Sequence, residues 1–225
     1  MSAWFICGTD TEIGKSLVTA TLLHAFANKG LRVAGMKPVA AGAVWAGDHW
    51  HNDDVALLNS ASNVSIRPDL VCPYLLQEAA APHIAAGLEG ITFDLGHIRE
   101  SLAAIHAQTD ITLVEGVGGF RVPLTTKEDT ADLAVLLGLP VILVVGMRLG
   151  CISHALLTIE AIRVRGLKLA GWVANQIDPA MSHVAANIEA LSARIPAPLL
   201  GHIPHLVPAD PRSALEHLNI ELLEF

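Results

Sequence analysis

Nine residues, Gly8-Thr9-Asp10-Thr11-Glu12-Ile13-Gly14-Lys15-Ser16, carry the types that grip a phosphate. Gly14 permits close backbone approach, Lys15 supplies an ammonium, and Ser16 offers a hydroxyl oxygen to a magnesium ion. An apolar run ends at Gly8 and an amphipathic stretch begins at Lys15. The exposed N–H groups and positive dipole end of a helix would therefore face the anion. The usual phosphate-loop pattern has four residues between its glycines, whereas five separate Gly8 from Gly14. The plain alternative is a glycine-bearing strand-to-helix turn with an incidental lysine.

A magnesium–nucleotide site also needs carboxylates from nearby strand ends or loops. The run Ile111-Thr112-Leu113-Val114 ends in Glu115 and is followed by Gly116-Val117-Gly118-Gly119. That puts a carboxylate at the carboxyl end of a strand, as in a Walker B segment; an ordinary solvent-facing carboxylate is the alternative. Asp53 and Asp54 open an apolar helical stretch, and capping that helix is explanation enough for either one alone. His49 and His51 precede them, but two histidines in a polar loop are more often solvated than metal-bound, and they stay unassigned. Lys37, in Met36-Lys37-Pro38, ends a second apolar run and falls on the same sheet edge as the phosphate loop.

These residues need a scaffold. Strand-length apolar runs recur at 3–8, 31–39, 111–115, 140–145, 169–175 and 198–203, and helical stretches lie at 15–28, 53–59, 95–107, 130–137, 153–165 and 181–194. Strand and helix alternate, which implies an α/β chain with a largely parallel sheet, helices on both faces and ligands beyond the carboxyl strand ends. With the phosphate loop, the expectation is a P-loop NTPase fold in which residues 1–225 form one domain. The segment 40–90 is the least regular and is expected to form long loops. Hydrophobic residues make up 52% of the chain, yet charges interrupt every run before the roughly 18 residues of a membrane span. A net charge of −8 argues against a nucleic-acid partner. Cys7, Cys72 and Cys151 are too scattered for a zinc knuckle or disulfide framework, and the opening Trp4-Phe5-Ile6-Cys7 resembles no leader. A reducing cytoplasm is expected.

Six ordered segments narrow the reading: the loop at 8–16, Lys-Pro-Val-Ala-Ala-Gly at 37–42, Ala-Pro-His at 81–83, Val-Glu-Gly-Val-Gly-Gly at 114–119, Leu-Gly-Cys-Ile-Ser-His-Ala at 149–155 and Gly-Trp-Val-Ala-Asn at 171–175. Together they resemble dethiobiotin synthetases over nearly the whole chain. The resemblance implies closure of a ureido ring on 7,8-diaminononanoate (7,8-diaminopelargonate) with carbon dioxide and MgATP, through a carbamate and a carbamic–phosphoric anhydride. It implies Ser16, Asp54 and Glu115 as magnesium ligands and Lys37 and Lys15 as the catalytic cations. It also implies ATP contacts at Glu12, Ile13, Gly14, Lys15, Ser16, Leu17, Asp54, Glu115, Gly116, Val117 and Gly118. Asn175, Gln176, Pro204, His205 and Leu206 would complete the adenine pocket. Substrate would meet Thr11, Lys37 and Ala41, and its remote carboxylate would meet Gly150, Cys151 and Ile152 from the neighbouring subunit of a homodimer. Ala41 stands where relatives commonly carry a serine. The rival from another class is a partitioning or scaffold switch ATPase of the same lineage. Such proteins carry a second lysine five positions before the loop lysine, where this chain has Asp10.

Overall fold

Along the first strand, Trp4 and Ile6 point to one side and Phe5 and Cys7 to the other, all four buried. Burial on both faces is what a continuous apolar run predicts for the centre of a parallel sheet. In the computed structural model, which describes residues 2–224, β1 (Ser2–Gly8) leads into α1 (Lys15–Ala27). There follow β2 (Val33–Met36), β3 (Val39–Ala40), β4 (Val44–Trp45), β5 (Trp50–His51), α2 (Asp53–Ala61), α3 (Pro68–Val71) and β6 (Tyr74–Leu75). Next come α4 (Pro82–Glu89), α5 (Leu95–His106), β7 (Ile111–Glu115), α6 (Thr130–Leu137) and β8 (Val141–Met147). The regular chain closes with α7 (Cys151–Val164), β9 (Leu169–Gln176), α8 (Val184–Ser192) and β10 (Leu199–Ile203).

Six parallel strands form the main sheet in the order β10-β9-β8-β1-β7-β2. One core packs Val18, Leu22 and Phe26 of α1 and Leu58 of α2 on the Trp4 and Ile6 face. Trp4 stacks on Phe26 with ring centroids 5.5 Å apart. The other core packs Ile98 and Leu102 of α5, Leu133 of α6 and Ala155 and Ile162 of α7 on the Phe5 and Cys7 face. Each large side chain buried this way contributes about 2 kcal/mol. Helices thus cover both faces, as the alternation required. No helix among the described residues is long and apolar enough to cross a membrane.

Three expectations need correction. The run 31–39 is not one strand: Lys37-Pro38 breaks it into β2 and β3, because proline has no N–H for a ladder, and β3 pairs with β6 in a separate sheet. The segment 40–90 is not mainly loop; it carries α2, α3, α4 and two small sheets. Neither Asp53 nor Asp54 caps α2, since the Asn52 side chain does so by accepting from the Val55 N–H at 3.3 Å.

Candidate active site

Three neighbouring strands end at one place. Register pairs Gly35 with Leu113, Met36 with Val114 and Ile6 with Glu115, so the carboxyl ends of β2, β7 and β1 stand side by side. Lys37, Glu115 and the loop after Gly8 are consequently delivered together by backbone geometry. The loop is held from several directions. Thr9 N–H donates to the Val144 carbonyl at 3.0 Å, Thr11 N–H to its neighbour Asp10 Oδ1 at 2.8 Å, and Asn175 Nδ2 to the Ile13 carbonyl at 2.8 Å. Arg148, just past β8, pairs with the Asp10 carboxylate. Glu12 (φ 56°) and Gly14 (φ 79°) both lie in the left-handed region. Such alternation turns successive N–H groups inward to form an anion nest. At Gly14 a side chain is doubly excluded, because a Cβ would lie 2.2 Å from Asn175 Nδ2.

Lys15 opens α1 almost fully buried, and its Nζ donates to the Asp10 carbonyl at 3.0 Å. Burial first, and then the nearby Lys37 charge, lower its pKa. Lys37 is 2% exposed, and its Nζ lies 2.6 Å from Glu115 Oε1, 2.8 Å from Asp54 Oδ2 and 3.3 Å from the Gly116 carbonyl. Burial opposes its charge, but Glu115 and Asp54 outweigh burial and raise its pKa. Asp54 responds in mirror image: burial pushes its pKa up, while Lys37 and Ser16 pull it lower on balance.

Ser16 Oγ lies 2.6 Å from Asp54 Oδ1 and 2.8 Å from Glu115 Oε1. A hydroxyl has one hydrogen, so of its two short contacts to carboxylate oxygens only one can receive the Ser16 proton. The second oxygen of Glu115, Oε2, is buried without a hydrogen-bond partner. Oxygens crowded together with too few protons suit a hard cation, and a hydroxyl with two carboxylates is the donor chemistry of magnesium. Ser16, Asp54 and Glu115 therefore fit that ion.

Around this cluster opens a cleft of about 880 Å³ lined by Thr11 to Ser16, Lys37, Ala40, Ala41, Asp54, Val117, Gly118 and Val122, with Ala79 to Pro82 as a further wall. Of the residues expected at the site, Thr11, Glu12, Ile13, Gly14, Lys15, Ser16, Lys37, Ala41, Asp54, Val117 and Gly118 meet here. Glu115 and Gly116 join through their bonds to Lys37. Leu17, Gln176, Pro204, His205 and Leu206 do not line the cleft, and Asn175 touches the loop from behind. Gly150 (φ 96°), Cys151 and Ile152 begin α7 outside it. His49 and His51 pair with Asp48 and Asp53 on the β4–β5 hairpin, and the described residues hold no cluster of three His, Cys, Asp or Glu side chains fit for a metal. Residue types alone gave no reason to expect the Ala79 to Pro82 wall. Proline at the first position of α4 was the available signal, and the helix is only eight residues long.

A family model described as an AAA domain matches residues 2–213. The ATP-dependent dethiobiotin synthetase BioD of Aromatoleum aromaticum is 57% identical over 218 residues, 97% of each chain. Among solved structures, the MinC:MinD cell division protein complex of Aquifex aeolicus aligns with a TM-score of 0.58 at 18% identity, over 94% of this chain and 86% of that one. The septum site-determining protein MinD of Pyrococcus horikoshii, complexed with Mg-ADP, gives 0.54 at 19% identity, over 98% and 88%. At such identities the likeness concerns the P-loop NTPase fold alone. With its loop, strand-end charges and full-length relative in agreement, the chain belongs to the dethiobiotin synthetase family of ATP-dependent ligases.

Proposed function

We propose that this chain closes the ureido ring of dethiobiotin from 7,8-diaminononanoate, carbon dioxide and ATP, with magnesium, at the penultimate step of biotin synthesis. The observation that carries the reading is the convergence of two buried ammonium groups, Lys15 and Lys37, on one cleft beside the Ser16, Asp54 and Glu115 oxygens. One substrate amine adds to carbon dioxide and loses a proton, giving a carbamate. A carbamate oxygen then attacks the γ-phosphorus of ATP and ADP leaves. The second amine attacks the carbamoyl carbon of the resulting anhydride and expels phosphate as the ring closes.

Both the carbamate and the transferring phosphoryl group are anionic, so positioning and charge stabilisation carry the catalysis. Lys37 holds the carbamate and Lys15 the transferring phosphoryl oxygens, while the loop N–H groups from Glu12 to Leu17 wrap the phosphates. Bound at Ser16, Asp54 and Glu115, magnesium supplies positive charge to the nucleotide phosphates. Thr11 orients the amines. Ala41 brings no hydroxyl, and its carbonyl accepts from Asn52 Nδ2 at 3.1 Å, so it has only its backbone to offer substrate. The missing hydrogen bond weakens binding by about 1 kcal/mol.

Asn175 and Gln176, with backbone at Pro204, His205 and Leu206, would read the adenine edge. Because Asn175 Nδ2 already holds the Ile13 carbonyl, the same side chain would tie base recognition to the phosphate loop. The remote substrate carboxylate would meet the segment Gly150, Cys151 and Ile152 in a second copy of the chain, where the Cys151 N–H already donates to the Arg148 carbonyl at 3.0 Å. Support comes from their position outside this protomer's cleft and from Leu149 beside them, 93% exposed. Cytoplasmic residence belongs to this reading, in line with three free cysteines. Mass-spectrometric detection of dethiobiotin from the diamine, labelled bicarbonate and MgATP tests it. ATP turnover that DNA or a protein stimulates, and the diamine does not, would favour the switch ATPase instead.

A further inference from the structure

The metal ligands and the catalytic lysine compete for the same oxygens. Glu115 Oε1 is shared between Ser16 Oγ at 2.8 Å and Lys37 Nζ at 2.6 Å. Asp54 is split likewise, with Oδ1 toward Ser16 and Oδ2 toward Lys37. A divalent cation held by Ser16, Asp54 and Glu115 would stand beside an ammonium ion bonded to the same two carboxylates, and two positive charges so close together repel. Lys37 nevertheless lines the open cleft, so its Nζ has somewhere to go.

We propose that Lys37 is the resident counter-cation of the metal ligands and is released into the cleft when the divalent ion arrives, so that metal loading arms the lysine that holds the carbamate. The inference rests on the function proposed above. In the metal-free state the ammonium compensates two carboxylates that would otherwise face each other across Ser16, and it keeps the ligand set assembled. The same contacts pin Lys37 against the strand ends, away from an incoming anion. Exchange of one cation for the other removes the pin. The carbamate site is thereby completed on the metal-loaded enzyme.

The test uses full-length protein without nucleotide or diamine, and Mn2+ as the probe, with free Mn2+ read by electron paramagnetic resonance. Lys37→Met removes the competitor and should bind Mn2+ at least about ten-fold more tightly than the native chain, while Lys37→Arg, which keeps a cation there, should stay near the native affinity. Adding Ser16→Ala to Lys37→Met should abolish the gain, since the gain belongs to this ligand set. Equal or weaker Mn2+ binding by Lys37→Met overturns the proposal. Should that variant fail to fold, the native protein labelled with nitrogen-15 at lysine Nζ decides. Saturating Mg2+ should shift the Lys37 ammonium signal and speed its exchange with water; an unchanged signal overturns the proposal. No arm requires dethiobiotin to form. Native protein that binds Mn2+ with ATP but shows no gain on Lys37→Met leaves the proposed function standing and removes only the exchange.

Discussion

The two sides of the cleft are made differently. On one, Lys15, Lys37 and Glu115 are buried at the start of α1 and the ends of β2 and β7, and Lys37 bonds both Glu115 and Asp54, the latter at the start of α2. On the other, Ala40, Ala41, Ala79, Ala80, Ala81 and Pro82 present methyl groups and one ring, and their chemistry is only to be small. Backbone register places the first set, so its geometry follows from parallel pairing and tolerates little change. The second set is placed by β3, paired in parallel with β6, and by the loop that leads into the short α4. On the proposed function, charge on one wall serves catalysis and shape on the other serves selection.

Changing the charged wall should therefore cost turnover. Lys37→Gln is expected to lower kcat by about a hundred-fold or more, the usual loss when a charge-stabilising donor is removed, with ATP affinity within a few-fold of native. Steady-state kinetics beside nucleotide titration would check this, and unchanged turnover would remove Lys37 from the chemistry. The same substitution should flatten the stability profile against pH. The raised Lys37 pKa contributes stability in full below the ordinary lysine value of 10.5, and loses it as pH rises through the folded value. The depressed Asp54 pKa contributes stability in full above the ordinary 3.8, and loses it as pH falls through the folded value. Denaturant titrations should show the native advantage over Lys37→Gln greatest between 3.8 and 10.5 and narrowing outside.

Changing the small wall should cost selection. Ala81→Leu adds bulk at an exposed cleft position, and is expected to raise the KM for the diamine by roughly ten-fold while ATP binding and melting temperature hold. An equal loss in kcat would blur the division between the walls. The smallest effect belongs to the strut between them: Asn52 caps α2 beneath Asp54 and donates to the Ala41 carbonyl. Asn52→Ala should cost about 1 kcal/mol of unfolding free energy, measured in urea.

The same division explains what could be read without coordinates. Lys15, Ser16 and Glu115 sit where an apolar strand stops, and strand periodicity is a local property of the chain, so their shared edge was legible. Asp54 was not legible on its own, because an aspartate in the first turn of a helix has a sufficient local explanation. Only the resemblance marked it, and the structure shows Asn52 taking the cap instead. Of the alanine wall, the resemblance marked Ala40 and Ala41 within 37–42 and Ala81-Pro82 within 81–83, but residue chemistry did not, since small residues acquire meaning only from what packs across from them. The single strand expected at 31–39 failed for a related reason: hydrophobicity runs through Lys37-Pro38, but hydrogen bonding does not.

The charged wall is proposed to phosphorylate a carbamate oxygen, and the fate of that oxygen can be followed. Heavy-oxygen-labelled carbon dioxide, mixed rapidly with enzyme, diamine and MgATP, should yield inorganic phosphate carrying one labelled oxygen and dethiobiotin carrying the other in its ureido carbonyl. Phosphate free of label would mean that water, not a carbamate, meets the γ-phosphorus beside Lys15 and Lys37.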